Sequence, residues 1–268
     1  MIKFFRHIRR SLIQENKMGK YFKYAIGEIL LVVIGILIAL QINNWNNNRI
    51  DGKREATYIK NIKRDLNNQL KAIELQMDFE NEVGEYCNIA LQHYNKTNTL
   101  KIDSTFANAL GSITSRRTFL NPNPAYTELI SSGNIELIKN EKFKDKLINY
   151  YQELERIEKV IDKNNMLYID QQFSPTIYRL GVLNTENDWD NVFRGFGRSY
   201  RADNPLTPSN TEHLLSISQK LLAKEENELL MVNHLANRKS FALLHTFFLL
   251  EFKAQTNAML EAIKSYNE

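Results

Sequence analysis

The sequence predicts an all-α protein in which a single N-terminal transmembrane helix is followed by an extracytoplasmic, antiparallel bundle of long helices. Three observations lead to this prediction. The 268 residues include only ten glycines and five prolines, a composition that favours helix over sheet or disorder. An uninterrupted apolar run extends from Ile29 to Leu40. Beyond it, apolar residues recur at steps of three and four along three further segments, which is the spacing of one helix face.

The membrane-spanning segment is predicted over residues 24–45. Tyr24 and Trp45 lie 21 residues apart, about 32 Å at ~1.5 Å per residue, and a hydrocarbon core is roughly 30 Å thick. Aromatic residues at both ends are typical of membrane interfaces. The alternatives are a buried helix of a soluble protein and a cleaved signal peptide, but the small residues of a cleavage site are missing after Leu40. We therefore interpret the segment as an uncleaved signal anchor.

The charge distribution predicts the topology. Residues 1–23 carry a net charge of +6, whereas the residues after Glu28 sum to −1. Basic segments beside a membrane span stay on the cytoplasmic side. We therefore expect a cytoplasmic tail over residues 1–23, whose spacing also fits an amphipathic helix, and a periplasmic domain over residues 46–268. Because the excess of basic residues is confined to this tail, nucleic acid is not an expected partner.

One face of the predicted membrane helix combines a carboxylate with small residues. This face consists of Glu28, Val32, Gly35 and Ala39. Small residues four apart let two membrane helices approach closely, so the face could associate with a second copy or with another envelope membrane protein. In the alternative, Glu28 reaches the cytoplasmic headgroups or pairs with Lys20 or Lys23, and the lipid bilayer is the only partner of this helix.

The remaining residues predict long helices at about 53–94, 141–172 and 225–266. The first has a stripe made of Ile59, Ile62, Leu66, Leu70, Ile73 and Met77. The second is expected to end or bend at Pro175. Residues 240–252 of the third are apolar nearly all round, which favours a central bundle position or a dimer contact over a second membrane span.

A short helix is predicted at residues 125–132, before the second long helix. Gly133 follows it at the position where helices often end in a left-handed residue, so we assign Gly133 as a structural cap. Asn140 is the expected N-cap of the helix that begins at Glu141.

The opening residues 1–50 and the stretch "YTELISSGNIELIKN" within residues 125–151 resemble domain-of-unknown-function family 6090, single-span envelope proteins of Bacteroidota. The resemblance implies a membrane anchor with a helical domain outside the cytoplasmic membrane. It implies no activity, because the family has none established.

Residues that carry chemistry are sparse. The histidines have no metal-ligand spacing, and Cys87 lies on an apolar stripe where a core position is more common than a nucleophile. No glycine-rich loop has the surrounding pattern of a nucleotide or nucleophile site. We therefore expect neither catalysis, nor a cofactor, nor a bound metal.

An irregular loop is predicted over residues 181–210. It is rich in aromatic and arginine side chains, the composition of contact surfaces. The candidate contact residues are Trp189, Phe193, Arg194, Phe196, Arg198 and Tyr200. In the alternative, these aromatic rings simply pack the loop against the bundle.

Two function classes remain open from the sequence. The first is a membrane-anchored interaction protein, such as a scaffold or accessory subunit. The second is an extracytoplasmic sensory or ligand-binding bundle. A tail of 23 residues is too short for an output domain, so a sensor would have to signal through a partner, and this favours the first class.

Overall fold

The computed structural model describes residues 18–182 and 206–267, and over these residues the protein is all-helical, with turns and no strand. The elements in chain order are α1 (Met18–Gln92), α2 (Tyr94–Thr97), α3 (Ser104–Thr114), α4 (Pro124–Ser131), a 3-10 turn (Asn134–Leu137), α5 (Glu141–Asn164), a π-helical segment (Asn165–Phe173), α6 (Ser174–Leu180), α7 (Pro208–Leu222) and α8 (Glu225–Asn267).

The chain divides into two compact units, Met1–Thr57 and Tyr58–Glu268. The described part of the first unit is helical throughout and belongs to α1. One helix in the described residues is long and apolar enough to cross a membrane. Its most apolar 18-residue window has a mean hydropathy of 2.6, and none of that window is buried.

The second unit has two clusters of buried apolar side chains. The first joins α1, α5 and α8, with Ile62, Leu147 and Leu249 fully buried. The second includes Leu110 of α3 and Phe173 at the end of the π-helical segment. Together they place α8 against the rest of the domain along most of its length.

The buried face of α1 differs from the predicted stripe. Leu70 and Met77 are only partly buried, whereas Gln69 and Gln76 are fully buried in their place. Asp65 and Phe79 are buried beside a regular row of ten further buried positions on α1, which are Ile59, Ile62, Leu66, Gln69, Ile73, Gln76, Glu80, Val83, Cys87 and Ala90. They alternate in steps of three and four, so the buried face follows a 3.5-residue period that continues through polar residues. The sequence prediction selected the apolar side chains of Leu70 and Met77, which lie at the edge of the buried face.

The second long helix does not end at Pro175. Its N-cap is Asn140, whose Oδ1 accepts a hydrogen bond from the Phe143 N–H at 3.1 Å. After Asn164 the chain continues as a π-helix and then as α6 to Leu180. Pro175 lies in the first turn of α6, where a missing N–H is tolerated.

The longest helices absent from the sequence prediction are α3 and α7. Asp103 caps α3 by accepting a hydrogen bond from the Phe106 N–H at 3.0 Å. The side chain of Thr207 caps α7 in the same way, with the Asn210 N–H at 3.3 Å. Because α7 begins at Pro208, the predicted irregular loop ends before that residue.

Candidate interaction surface

The predicted membrane face lies on α1 in the first unit. Val32 is 54% exposed, and a Cβ added at Gly35 would meet no atom within 4 Å. Ala39 is also exposed, and Glu28 is partly so. The face therefore has room for a second helix or for lipid, and its role in helix association stays a prediction.

Gly133 forms the turn after α4 with φ +71°, the left-handed conformation. Its N–H donates to the carbonyl of Ile130 at 3.0 Å. The turn is attached to α1, because Asn134 Nδ2 donates to the Tyr58 hydroxyl at 2.9 Å. Gly133 is therefore where the chain reverses between α4 and the 3-10 turn.

Replacing Gly133 with alanine should lower the free energy of unfolding by about 1 kcal/mol, because a Cβ is unfavourable at positive φ. Nothing lies within 4 Å of the added Cβ, so the cost is conformational. Gly84→Ala is the matched control. Gly84 lies inside α1 with open space around its Cβ, so the same change should stabilise the helix by up to about 1 kcal/mol. Thermal unfolding followed by circular dichroism measures both, and shifts of equal sign would contradict the assignment.

The candidate contact loop cannot be placed on this fold, because its six predicted residues lie outside the described residues. They are Trp189, Phe193, Arg194, Phe196, Arg198 and Tyr200. Their role stays a prediction.

The core contains a cluster of charged side chains that sequence reasoning missed. Glu80 of α1 and His245 of α8 are at most 1% exposed, and Nδ1 of His245 lies 3.1 Å from Oε1 of Glu80. Gln76 donates to the same oxygen at 3.0 Å. Nε2 of His245 lies 3.2 Å from Nδ2 of Asn164. The sequence signal for this cluster is the row of polar residues at steps of three and four along α1. A stripe defined by apolar residues alone does not include them.

Arg238 completes this cluster from the preceding turns of α8. Its Nη1 lies 3.8 Å from Oε2 of Glu80, and both side chains are 1% exposed. Its Nε donates to the carbonyl of Ile113 at 3.1 Å, and its Nη2 to that of Ser115 at 3.3 Å. Burial lowers the pKa of Arg238, and the carboxylate of Glu80 opposes this effect. The cluster connects α1, α8 and the end of α3 inside the core.

A second buried polar layer joins α1, α5 and α8. The Tyr150 hydroxyl donates to Oε1 of Gln69 at 2.8 Å and lies 2.9 Å from Oγ1 of Thr256. Gln69 in turn donates to the carbonyl of Pro122 at 3.3 Å. Nearby, Asp65 accepts a hydrogen bond from the Ala125 N–H at 2.9 Å, at the start of α4. These bonds connect α1, α5, α8 and the start of α4 inside the core.

Within residues 18–182 and 206–267, the cysteine and the histidine with shifted pKa values are buried. Burial raises the pKa of the Cys87 thiol to about 11, so this fully buried thiol stays protonated at neutral pH. Burial lowers the pKa of His234, whose Nε2 lies 3.3 Å from the Thr176 hydroxyl. Among the described residues, no group of three His, Cys, Asp or Glu side chains could hold a metal ion.

The helix α8 has two different faces within residues 240–252. His245, Leu249 and Phe252 are fully buried, but Leu243 is 58% exposed and Phe247 is 57% exposed. The predicted central bundle position is therefore wrong for one face of this segment.

The exposed face of α8 is a continuous row that we call the seam. It consists of Leu229, Asn233, Ala236, Ser240, Leu243, Phe247, Leu250, Ala254 and Asn257, all of which are exposed. The steps between these residues alternate between four and three, and no position carries a charge. Leu230 and Leu244 widen the row on one side. Large uncharged surfaces of this kind are typical of contact sites.

Most of the chain is similar to a known protein family. A model described as "Family of unknown function (DUF6090)" matches residues 28–174, more than half of the chain. This range includes the apolar part of α1, the Gly133 turn and α5, and it ends before α8. No curated protein and no solved structure matches the chain.

Proposed function

The chain belongs to DUF6090, a family of unknown function, and from its structure we propose that it is a membrane-anchored interaction protein. In this proposal α1 crosses the cytoplasmic membrane once, residues 1–23 lie in the cytoplasm, and the second unit is a periplasmic bundle of antiparallel helices. The bundle acts by contact, as a scaffold or accessory subunit.

The observation that carries the proposal is the exposure of the apolar helix in the first unit. Its most apolar window has a mean hydropathy of 2.6, and none of it is buried within the chain. Exposed apolar surface costs about 25 cal/mol per Å² relative to burial, so water is an unfavourable surrounding for this window. A bilayer is a favourable one, because the helix satisfies its own backbone hydrogen bonds.

The second unit supports a contact role over an enzymatic one. Buried polar residues of this unit contact each other across helices and away from the surface, as Glu80 of α1 contacts His245 of α8 and Tyr150 of α5 bonds to Gln69 of α1. Its exposed surface includes the uncharged seam of α8. A rigid core with an apolar outer row is suited to presenting a surface to another helix.

A ligand-binding role is the second candidate, and one groove favours it. The groove lies between α5 and α8, has a volume of about 890 Å³, and is open to solvent. Its lining includes Lys142, Lys146, Arg156, Gln255 and Met259. Small-molecule sites are usually enclosed and mostly apolar, so an open groove with charged walls is the weaker basis for a function.

Topology tests the proposal. Alkaline phosphatase fused after Glu268 should be active, because the domain is exported, and the same enzyme fused after Lys23 should be inactive. A cytoplasmic reporter at the two positions should give the reverse pattern. Removing the basic side chains of residues 1–23 should reduce the phosphatase activity at Glu268, because these charges retain the tail inside. An active cytoplasmic reporter after Glu268 would refute the proposed orientation.

A further inference from the structure

The seam of α8 has the pattern of a helix-pairing surface. From Leu229 to Asn257 its steps alternate between four and three without interruption, which amounts to four heptads. Heptads sustained over this length are typical of coiled-coil seams. The opposite face of α8 is already buried in the domain, through residues such as Leu249 and Phe252. The described residues cover this face of the helix and leave the seam exposed, with smaller or polar side chains beside the large apolar ones of Leu229, Leu243, Phe247 and Leu250.

We propose that the seam is the docking surface for the seam of a second copy of this chain, so that the protein is a dimer through α8. The proposal rests on the membrane-anchored function above and names its partner. A seam without charges can meet itself without repulsion, which a symmetric dimer requires. The two asparagines, Asn233 and Asn257, lie near its ends, and their amides can pair with each other in a two-fold arrangement.

The size of the seam agrees with a dimer of modest affinity. Its 28 residue steps correspond to about 42 Å at ~1.5 Å each, and a helix with its side chains is roughly 10 Å wide. The footprint is then about 420 Å² per chain and about 840 Å² for the pair, about a third below the lower end of the range of about 1,200–2,000 Å² for stable specific interfaces. A surface of this size suits two chains that are held together in another way as well.

The membrane anchor supplies that second constraint. Two chains in one bilayer share a plane and an orientation, so their domains meet at a much higher effective concentration than free domains do.

The alternative partner for an exposed apolar helix face is the surface of the bilayer. Helices that lie on membranes are rich in Lys and Arg beside the apolar face, but the flanks of the seam offer only Lys239 and Lys253, and Lys253 is paired with Glu74 at 2.8 Å. A second protein helix therefore fits this face better.

Cysteine cross-linking in native membranes tests the dimer with the full chain. The native Cys87 is buried and its raised pKa keeps it unreactive, so a single new cysteine reports on its own position. Leu243→Cys and Phe247→Cys should form disulfide-linked dimers for most of the chain under mild oxidation. Leu120→Cys is the control, because Leu120 is 71% exposed and lies outside α8. Its yield should be at least five-fold lower.

The remaining outcomes are distinct. Cross-linking at every seam position indicates a parallel pair, and cross-linking confined to the centre indicates an antiparallel pair; both support the proposal. Equal yields at Leu120→Cys and at the seam would overturn it, because that pattern reflects association through the membrane helix alone. Disulfide-linked products with another protein would also overturn the proposal, because they identify that protein as the partner of the seam. If seam cysteines show no cross-link and react with a water-soluble maleimide in detergent but not in membranes, the lipid surface covers the seam and the proposal is likewise overturned.

A charge substitution provides the second readout. Leu243→Lys with Leu250→Lys should abolish the dimer in mild detergent and leave the helix content unchanged, because both side chains are at least half exposed in the single chain. Leu120→Lys should leave the dimer intact. If the double variant stays dimeric, the seam is not the interface. Loss of the wild-type chain from the membrane fraction would instead refute the proposed function.

Discussion

Replacing Arg238 with methionine should lower the free energy of unfolding by about 3 kcal/mol or more. Removing one partner of a buried ion pair leaves the other charge uncompensated, which costs about 3–5 kcal/mol. Here the remaining charge is Glu80, which is 1% exposed and would keep only its contacts with Gln76 and His245, both on Oε1. The carbonyls of Ile113 and Ser115 would also lose their donors. At 2–4 °C per kcal/mol for a domain of this size, the melting temperature should fall by roughly 6–12 °C.

The matched control and the double variant identify the cause of this loss. Arg156 is an exposed arginine paired with Glu153 one turn away, so Arg156→Met should change stability by less than about 1 kcal/mol. Combining Arg238→Met with Glu80→Gln should recover much of the lost stability, because neither buried charge then remains. An Arg238→Met variant as stable as the Arg156→Met variant would mean that the cluster does not hold the core together.

Replacing Phe252 with alanine should destabilise the domain by about 3–5 kcal/mol, whereas Phe247→Ala should cost less than about 1 kcal/mol. Both rings are on α8, but Phe252 is fully buried and Phe247 is 57% exposed. Phe252 also stacks on Tyr150 with ring centroids 5.2 Å apart, so the substitution would leave a cavity beside the buried hydroxyl layer. Urea unfolding of the full chain in detergent, at a protein concentration too low for the proposed dimer to form, measures both variants.

The pair tests which face of α8 belongs to the core. Equal losses of stability would mean that Phe247 is covered within the single chain and that the seam is not a free surface. A loss at Phe247 alone would mean that the helix is rotated relative to the described packing. The expected contrast gives the cross-linking experiments a baseline, because it shows that seam substitutions leave the fold intact.

The long helices were predictable because capping residues and the spacing of apolar residues indicate the same helix boundaries. Asn140 precedes an amphipathic segment and caps α5, and α8 begins at the predicted Glu225. The short helix α4 and the left-handed glycine after it follow from turn chemistry that needs only neighbouring residues. Such features depend on a few consecutive side chains, so a sequence contains them directly.

The polar core was harder to predict because it depends on partners far along the chain. Inside the core, Gln69 is bonded to the Tyr150 hydroxyl and to the carbonyl of Pro122, and the Gln76 amide donates to Glu80. From the sequence of α1 alone, the apolar Leu70 and Met77 are expected to be buried in preference to these two glutamines. The same limit applies to Arg238 and His245, whose roles appear only once α8 lies against α1.

The π-helical segment limits where this chain can gain or lose a residue. Buried residues along α5, the π segment and α6 follow one another at steps of four: Ile157, Ile161, Asn165, Ile169, Phe173 and Ile177. In an ordinary α-helix each such step drifts by about 40°, so the later residues would turn away from the core. The wider turn absorbs this drift. Losing one residue here, even an exposed one such as Met166, would shift the phase of everything that follows by about 100°. This stretch therefore tolerates a change of residue type far better than a change in the number of residues.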